Sequence, residues 1–282
     1  MINAVLLDLA GVIYDGEEVV PGAAEAVARL RAAGLPIRFV SNTTRSSKPT
    51  ILARLARLGL SVASDELFTP AEAACFWLRE RGRAAHLLVH PDLVSEFQDL
   101  PADGGMAVVI GDAGDAFDYQ ALNAAFRKLV DGAELLALAP NRSFKDADGK
   151  LSLDARAFVA ALEFAGQRQA IVLGKPAPGF FHSALATIPC AAAEAAMVGD
   201  DAETDVAGAL NAGLGQALLV RTGKYREGDE RVSRRCRLQR CRTFRPPSTG
   251  SSQGATGPND PQIAEQKKAP TEVDALKRLG SN

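Results

Sequence analysis

The stretch Ala4-Val5-Leu6-Leu7-Asp8-Leu9-Ala10-Gly11-Val12 decides how the chain is read. Four apolar residues run without a break into a carboxylate, and a glycine follows shortly after. Such a run, bounded by turn chemistry, predicts a strand over residues 4–9 that is buried on both faces. Asp8 then emerges at the strand's carboxyl end, where ligands gather in open α/β sheets. Aspartates that act as nucleophiles occupy such positions. Ala10 is the unusual member of the stretch. Two residues after Asp8, this position carries a methyl group, which can neither give nor take a proton.

Outward from this strand, apolar runs and helical periodicity alternate. Strands are predicted at residues 37–40, 171–173, 196–198 and 216–220, and helices at 22–33, 49–58, 179–186 and 205–212. Gly34 and Gly59 suit the C-terminal caps of the first two helices. This order defines an α/β fold, a Rossmann-like parallel sheet core with helices on both faces. Residues 81–169 interrupt it with a pattern of their own. They contain strands at 85–89, 107–110 and 135–138, helices at 119–130 and 154–165, and turn chemistry at Asp146-Ala147-Asp148-Gly149. That is too much chain for a loop and enough for an inserted α/β domain. The expected division is therefore core at 1–80, insertion at 81–169, core again at 170–229, and a tail at 230–282.

Charge separates the tail from the rest. Residues 1–229 hold 21 Lys and Arg against 29 Asp and Glu, whereas residues 230–282 hold 11 against 5. The acidic body has no footprint for nucleic acid. The Arg-rich, then Pro-, Ser- and Gly-rich tail reads as solvated and disordered, with residues 272–279 as a short helix and an arm for acidic partners as the sharper reading. Hydrophobic residues make up 47% of the chain, enough to fill a sizeable core. From the N-terminal residues, neither a signal peptide nor a membrane span is expected. Four scattered cysteines suit a reducing compartment, so a cytoplasmic location is expected. His86, His90 and His182 have no metal or triad spacing, and the first βα turn lacks a G-x-G-x-x-G run, which disfavours a dinucleotide oxidoreductase.

Three further sites join Asp8. Ser41-Asn42-Thr43-Thr44 follows the predicted strand 37–40, where hydroxyl and backbone donors can hold a phosphate oxygen without adding charge. Lys175, in Gly174-Lys175-Pro176, can neutralise a carboxylate and a transferring phosphoryl group. Gly199-Asp200-Asp201-Ala202-Glu203-Thr204-Asp205 offers the hard oxygen ligands that Mg²⁺ prefers, with Asp200 the natural partner of Asp8. Asp205 reads as the cap or first-turn acid of the next helix.

This ordered set resembles the haloacid dehalogenase-like phosphatase superfamily, and the insertion resembles the α/β (C2-type) cap of its type IIA branch. The segments Val20-Pro21-Gly22, Phe39-Val40-Ser41-Asn42-Thr43-Thr44, Leu122-Asn123-Ala124-Ala125-Phe126-Arg127, Phe158-Val159-Ala160-Ala161-Leu162-Glu163 and Gly223-Lys224-Tyr225 carry the likeness across residues 4–229. The resemblance implies an Mg²⁺-dependent phosphatase of a small phosphorylated compound, acting through an aspartyl-phosphate. Asp8 would be the nucleophile, Lys175 the charge-balancing group, and Ser41 and Asn42 with Lys175 the phosphate site. The metal ligands implied are Asp8, Asp200 and the carbonyl of Ala10, with Asp205 ordering the acidic loop. No membrane or nucleic-acid partner is expected, and caps of this kind imply a homodimer as one assembly. In most of the superfamily the position of Ala10 is Asp, which protonates the leaving oxygen and then activates water. Two readings follow: an enzyme favouring phosphoramidate or pyrophosphate leaving groups, or an impaired or non-catalytic member that binds phosphoryl groups and Mg²⁺.

Overall fold

A computed structural model describes residues 1–145 and 149–231, together with the strand Cys241–Phe244. In chain order, β1 (Ala4–Asp8) leads to a hairpin of β2 (Tyr14–Asp15) and β3 (Glu18–Val19). Then come α1 (Ala23–Ala32), β4 (Ile37–Val40), α2 (Lys48–Arg57), β5 (Leu67–Phe68) and α3 (Pro70–Glu80). The insertion follows with β6 (Arg83–Leu88), β7 (Gly105–Ile110), α4 (Tyr119–Val130), β8 (Glu134–Ala137), a second hairpin of β9 (Ser143–Lys145) and β10 (Leu151–Leu153), and α5 (Arg156–Gly166). The chain closes with β11 (Ile171–Val172), α6 (Pro178–Leu185), β12 (Ala195–Gly199), a π-helical turn (Ala202–Ala207), α7 (Gly208–Asn211), β13 (Gln216–Val220) and β14 (Cys241–Phe244).

Six strands build the core sheet in the order β14-β13-β12-β1-β4-β5, every neighbour parallel. All five residues of β1 are buried, as a central parallel strand requires. Alternation along it serves two separate cores. Leu6 faces Phe180, Phe181 and Met197, whereas Val5 and Leu7 face Val27, Leu30 and Leu55 of α1 and α2. Truncating a residue so enclosed costs about 2–5 kcal/mol.

The insertion has its own parallel sheet, ordered β11-β8-β7-β6. One face, with Val108, Ile110 and Leu135, packs beneath α4 and α5 against Leu129, Val159 and Leu162. The opposite face, with Val109, Leu136 and Leu138, is continuous with the core cluster through Leu78, Leu93 and Phe97. Cap and core therefore share apolar surface.

Three expectations change. The strand predicted at 171–173 is not a core strand: β11 pairs with β8, because after α5 the chain meets the open edge of the inserted sheet before it reaches the core. That strand lies beyond the 81–169 assigned to the insertion. Within the tail, Cys241–Phe244 pairs with β13; the free edge of β13 offers a row of backbone hydrogen bonds to any extended segment. The helix after β12 begins before Asp205. Asp201 caps it, its carboxylate accepting from the backbone of Glu203 and Thr204 at 3.0 Å each. Asp146-Ala147-Asp148, the Arg-rich stretch and residues 272–279 lie outside the described residues. Sequence periodicity also passed over α3, although Thr69-Pro70-Ala71-Glu72 marks its start: the Thr69 hydroxyl accepts from Glu72 N at 3.2 Å, and Pro70 opens the helix.

Candidate active site

Asp8, Ser41 and Asp200 end or directly follow β1, β4 and β12, three adjacent strands of the core sheet. Lys175 arrives differently. It lies in the loop from β11 to α6, and Asn42 holds it there: the Asn42 amide oxygen accepts from Lys175 N and its amide nitrogen donates to Lys175 O, both at 2.8 Å. Asn42, expected at the phosphate, thus spends its side chain on fixing the lysine loop. Gly174 makes the approach feasible, since a Cβ there would lie 2.4 Å from Leu138 O and 2.9 Å from Asn42 Oδ1.

Lys175, only 2% exposed, sits between two carboxylates. Its Nζ is 2.7 Å from Asp8 Oδ1 and 2.6 Å from Asp205 Oδ1. Burial alone would lower its pKa, but Asp205 and Asp8 outweigh that and raise it, so the ammonium persists. Burial, with the neighbouring Asp200 carboxylate, raises the pKa of Asp8 against the opposing pull of Lys175. Asp205 uses both oxygens, the second accepting from Asp201 N at 3.2 Å. It touches the lysine and the acidic loop together.

Asp200 is placed for something else. Its Oδ2 accepts from Lys224 N at 2.7 Å, while its buried Oδ1 has no partner among the described residues. Burial pushes its carboxyl up to about 6. Two left-handed glycines press on it: a Cβ on Gly11 (φ +79°) or Gly223 (φ +55°) would stand 2.1 Å from Asp200 Oδ2. Thr222 Oγ1 donates to Gly11 O and closes this cradle. Oxygens of Asp8, Asp200 and Asp205 lie within 4.8 Å of one another. Because Asp205 is fully engaged, Asp8 and Asp200 are the pair free to hold a hard cation.

Ser41 Oγ accepts from Thr43 N at 3.2 Å, and the residue is buried beside this cluster's strand ends. Ala10 is exposed and bridges to Tyr14 of the small hairpin. The side chain there has no proton to give. Sequence reasoning missed Thr222, which only the fold brings to Gly11. It also missed Arg45, whose guanidinium reaches Asp112 of the insertion.

This geometry belongs to a hydrolase class. The chain is a member of the haloacid dehalogenase-like hydrolase family, a phosphatase by kinship: the family model matches residues 5–101, and a HAD-hydrolase-like model matches residues 172–238. It is 43% identical over 235 residues to the phospholysine phosphohistidine inorganic pyrophosphate phosphatase of Rattus norvegicus, covering 81% of this chain and 86% of that one. It is 44% identical over 230 residues to the haloacid dehalogenase-like hydrolase domain-containing protein 2 of the same species, covering 82% and 88%. Among solved structures, a glycerol phosphate phosphatase of Mycobacterium tuberculosis in complex with magnesium matches with a TM-score of 0.68 and 27% identity. That match covers 78% of this chain and 68% of that one. No helix among the described residues is long and apolar enough to cross a membrane.

Proposed function

We propose that the protein is an Mg²⁺-dependent phosphatase of a small phosphorylated compound, with Asp8 as the nucleophile. The observation that carries this reading is the Asp8 carboxylate, held 2.7 Å from a buried, charged Lys175 and beside the unpartnered Asp200 Oδ1. An ion fits there on the chemistry of the donors: two hard carboxylates, one with a buried oxygen that no described residue engages. Asp8 and Asp200 would hold it, with the Ala10 carbonyl as the further protein ligand. When bound, Mg²⁺ supplies charge neutralisation for phosphoryl oxygens.

The remaining steps belong to side chains. A carboxylate oxygen of Asp8 attacks phosphorus, the bond to the leaving group breaks, and the leaving group departs with the electron pair. Lys175 balances charge on Asp8 and on the phosphoryl oxygens, and Ser41 donates to one of them. Water then attacks the phosphorus of the aspartyl-phosphate, which releases phosphate and restores the Asp8 carboxylate. Ala10 can neither protonate the leaving atom nor take the proton from water. General acid–base help is worth about 10²–10⁴ in rate, so alkyl esters with basic leaving groups lose most. Phosphoramidates and pyrophosphate, whose leaving groups need little protonation, lose least. The names of the rat relative's substrates accord with that preference.

The exposed methyl of Ala10 also favours a second reading, a member that binds phosphoryl groups and Mg²⁺ without turnover. Phosphate release from p-nitrophenyl phosphate and from a phosphoramidate, with and without Mg²⁺, separates the two. Turnover that needs Mg²⁺ and vanishes in Asp8→Asn supports the enzyme. A folded wild type that binds Mg²⁺ but releases no phosphate from either compound supports the binding protein.

A further inference from the structure

The loop after β4 holds Ser41 at one end and Arg45 at the other, and Arg45 leaves the core to meet the insertion twice. Its Nε is 2.5 Å from Asp112 Oδ2, in the turn that follows β7. Its guanidinium carbon lies 4.2 Å from the centroid of the Phe144 ring in β9. Asp112 is buried and committed to this place. Its N–H donates to Thr44 Oγ1 at 3.2 Å, and its Oδ1 accepts from Gly114 N at 3.0 Å. Gly111 fits against the same loop, where a Cβ would be 2.9 Å from Leu138 Cδ1 and 3.5 Å from Thr44 Cβ. The carboxyl ends of β7 and β8 therefore bear on the loop that carries Ser41.

The β9–β10 hairpin needs such a hold. Among the described residues its strands pair with each other and with no other strand, and Leu151 and Leu153 are 78% and 67% exposed, so little apolar burial anchors them. It springs from the segment after Leu138, whose carbonyl abuts Gly174 next to Lys175. The opposite face of the hairpin turns Phe144 onto Arg45, in register with Ser152. A planar guanidinium can pair with a carboxylate at its edge while its face lies on a ring, which an ammonium cannot do.

We propose that Arg45 is a positioning residue that sets specificity: by gripping Asp112 and Phe144 together, it fixes how closely the hairpin stands over the Ser41 loop and so limits the size of the leaving group admitted. The claim rests on the phosphatase reading for its selectivity half; the positioning half stands on the contacts alone. Arg45→Lys keeps charge near Asp112 and loses the stacked fork. Phe144→Ala leaves the ion pair intact and guards against the misfolding that an unpaired, buried Asp112 would cause.

The test is amide hydrogen exchange in the full chain with Mg²⁺ and inorganic phosphate, combined with the ratio of kcat/KM for p-nitrophenyl phosphate over a bulkier aryl phosphate of equal leaving-group pKa. In both variants, exchange at residues 143–145 and 151–153 should quicken roughly two- to fivefold, the value of a partly exposed cation–π contact. Exchange at residues 195–199 should stay unchanged, and the preference for the smaller ester should fall by a similar factor. Unchanged exchange in the hairpin, or an unchanged preference, overturns the proposal. A wild type that hydrolyses neither ester sinks the phosphatase reading and the selectivity with it; the exchange difference would show that the positioning contact had not failed.

Discussion

On the proposed mechanism, a carboxylate at position 10 should add the proton transfer that the Ala10 methyl cannot perform. Ala10 is exposed, so Ala10→Asp should displace no buried neighbour and cost little desolvation. Away from buried features, substitutions usually change stability by about 0.5 kcal/mol or less, and the melting temperature should barely move. The gain falls on the rate. A general acid two residues from Asp8 is worth about 10²–10⁴ in rate, which is roughly 3–5.5 kcal/mol of barrier. It should depend on the leaving group. An alkyl phosphate, whose departing alkoxide is strongly basic, should approach the upper figure. p-Nitrophenyl phosphate should gain less in bond cleavage, and a phosphoramidate least. The assay is kcat/KM for the three compounds in wild type, Ala10→Asp and Ala10→Asn, at saturating Mg²⁺. The Asn variant matches the size of Asp without its proton transfer and should stay near wild type. Equal acceleration of all three substrates, or an Asn variant as fast as the Asp variant, would refute the assignment of position 10 to proton transfer.

Other outcomes follow from the same geometry. Gly223→Ala places a Cβ 2.1 Å from Asp200 Oδ2 at a positive φ, so the rise in melting temperature produced by Mg²⁺ in wild type should be lost while the protein remains folded by circular dichroism. Asn42→Ala removes both hydrogen bonds to the Lys175 peptide; urea unfolding should show a loss of about 1–3 kcal/mol, and kcat should fall more than KM rises. Asp200 gives the pH dependence. Burial raises its carboxyl to about 6 from an ordinary 3.8, so the ion-free native state binds a proton that the unfolded chain has released. That contribution to stability is complete below 3.8 and disappears as pH rises through 6. Mg²⁺ competes with the same proton. Thermal melts should therefore show a larger Mg²⁺ shift at pH 7.5 than at pH 5.5, and equal shifts would count against Asp200 as the ligand.

Much of this site was legible before any fold was known. Asp8, Ser41 and Asp200 each follow a short apolar run, and parallel strands buried on both faces have that unmistakable composition. β4 and β13 fall where the periodicity places them, and α1, α2, α4 and α6 within a residue or so at each end. Where sequence reading went astray, the physics is non-local. Ile171–Val172 has the makings of any buried strand, and only the open edge of β8 assigns it to the inserted sheet. The pairing of the Asn42 side-chain amide with the Lys175 peptide is likewise invisible in sequence, since the two residues lie far apart along the chain.

The sequence by itself determined the class of architecture, the order of Asp8, Ser41, Lys175 and Asp200 along the chain and the methyl group at position 10, because strand burial and side-chain chemistry are local properties. Only the tertiary structure decided which acid is free for a cation. Asp205 and Asp200 are both carboxylates of one loop, yet Lys175 and the Asp201 backbone engage the former, while Gly11 and Gly223 lie against Oδ2 of the latter and no described residue engages its Oδ1. The reach of Arg45 to Asp112 and Phe144 is likewise tertiary. Long-range pairs of this kind depend on how two sheets meet, which no spacing along the chain encodes.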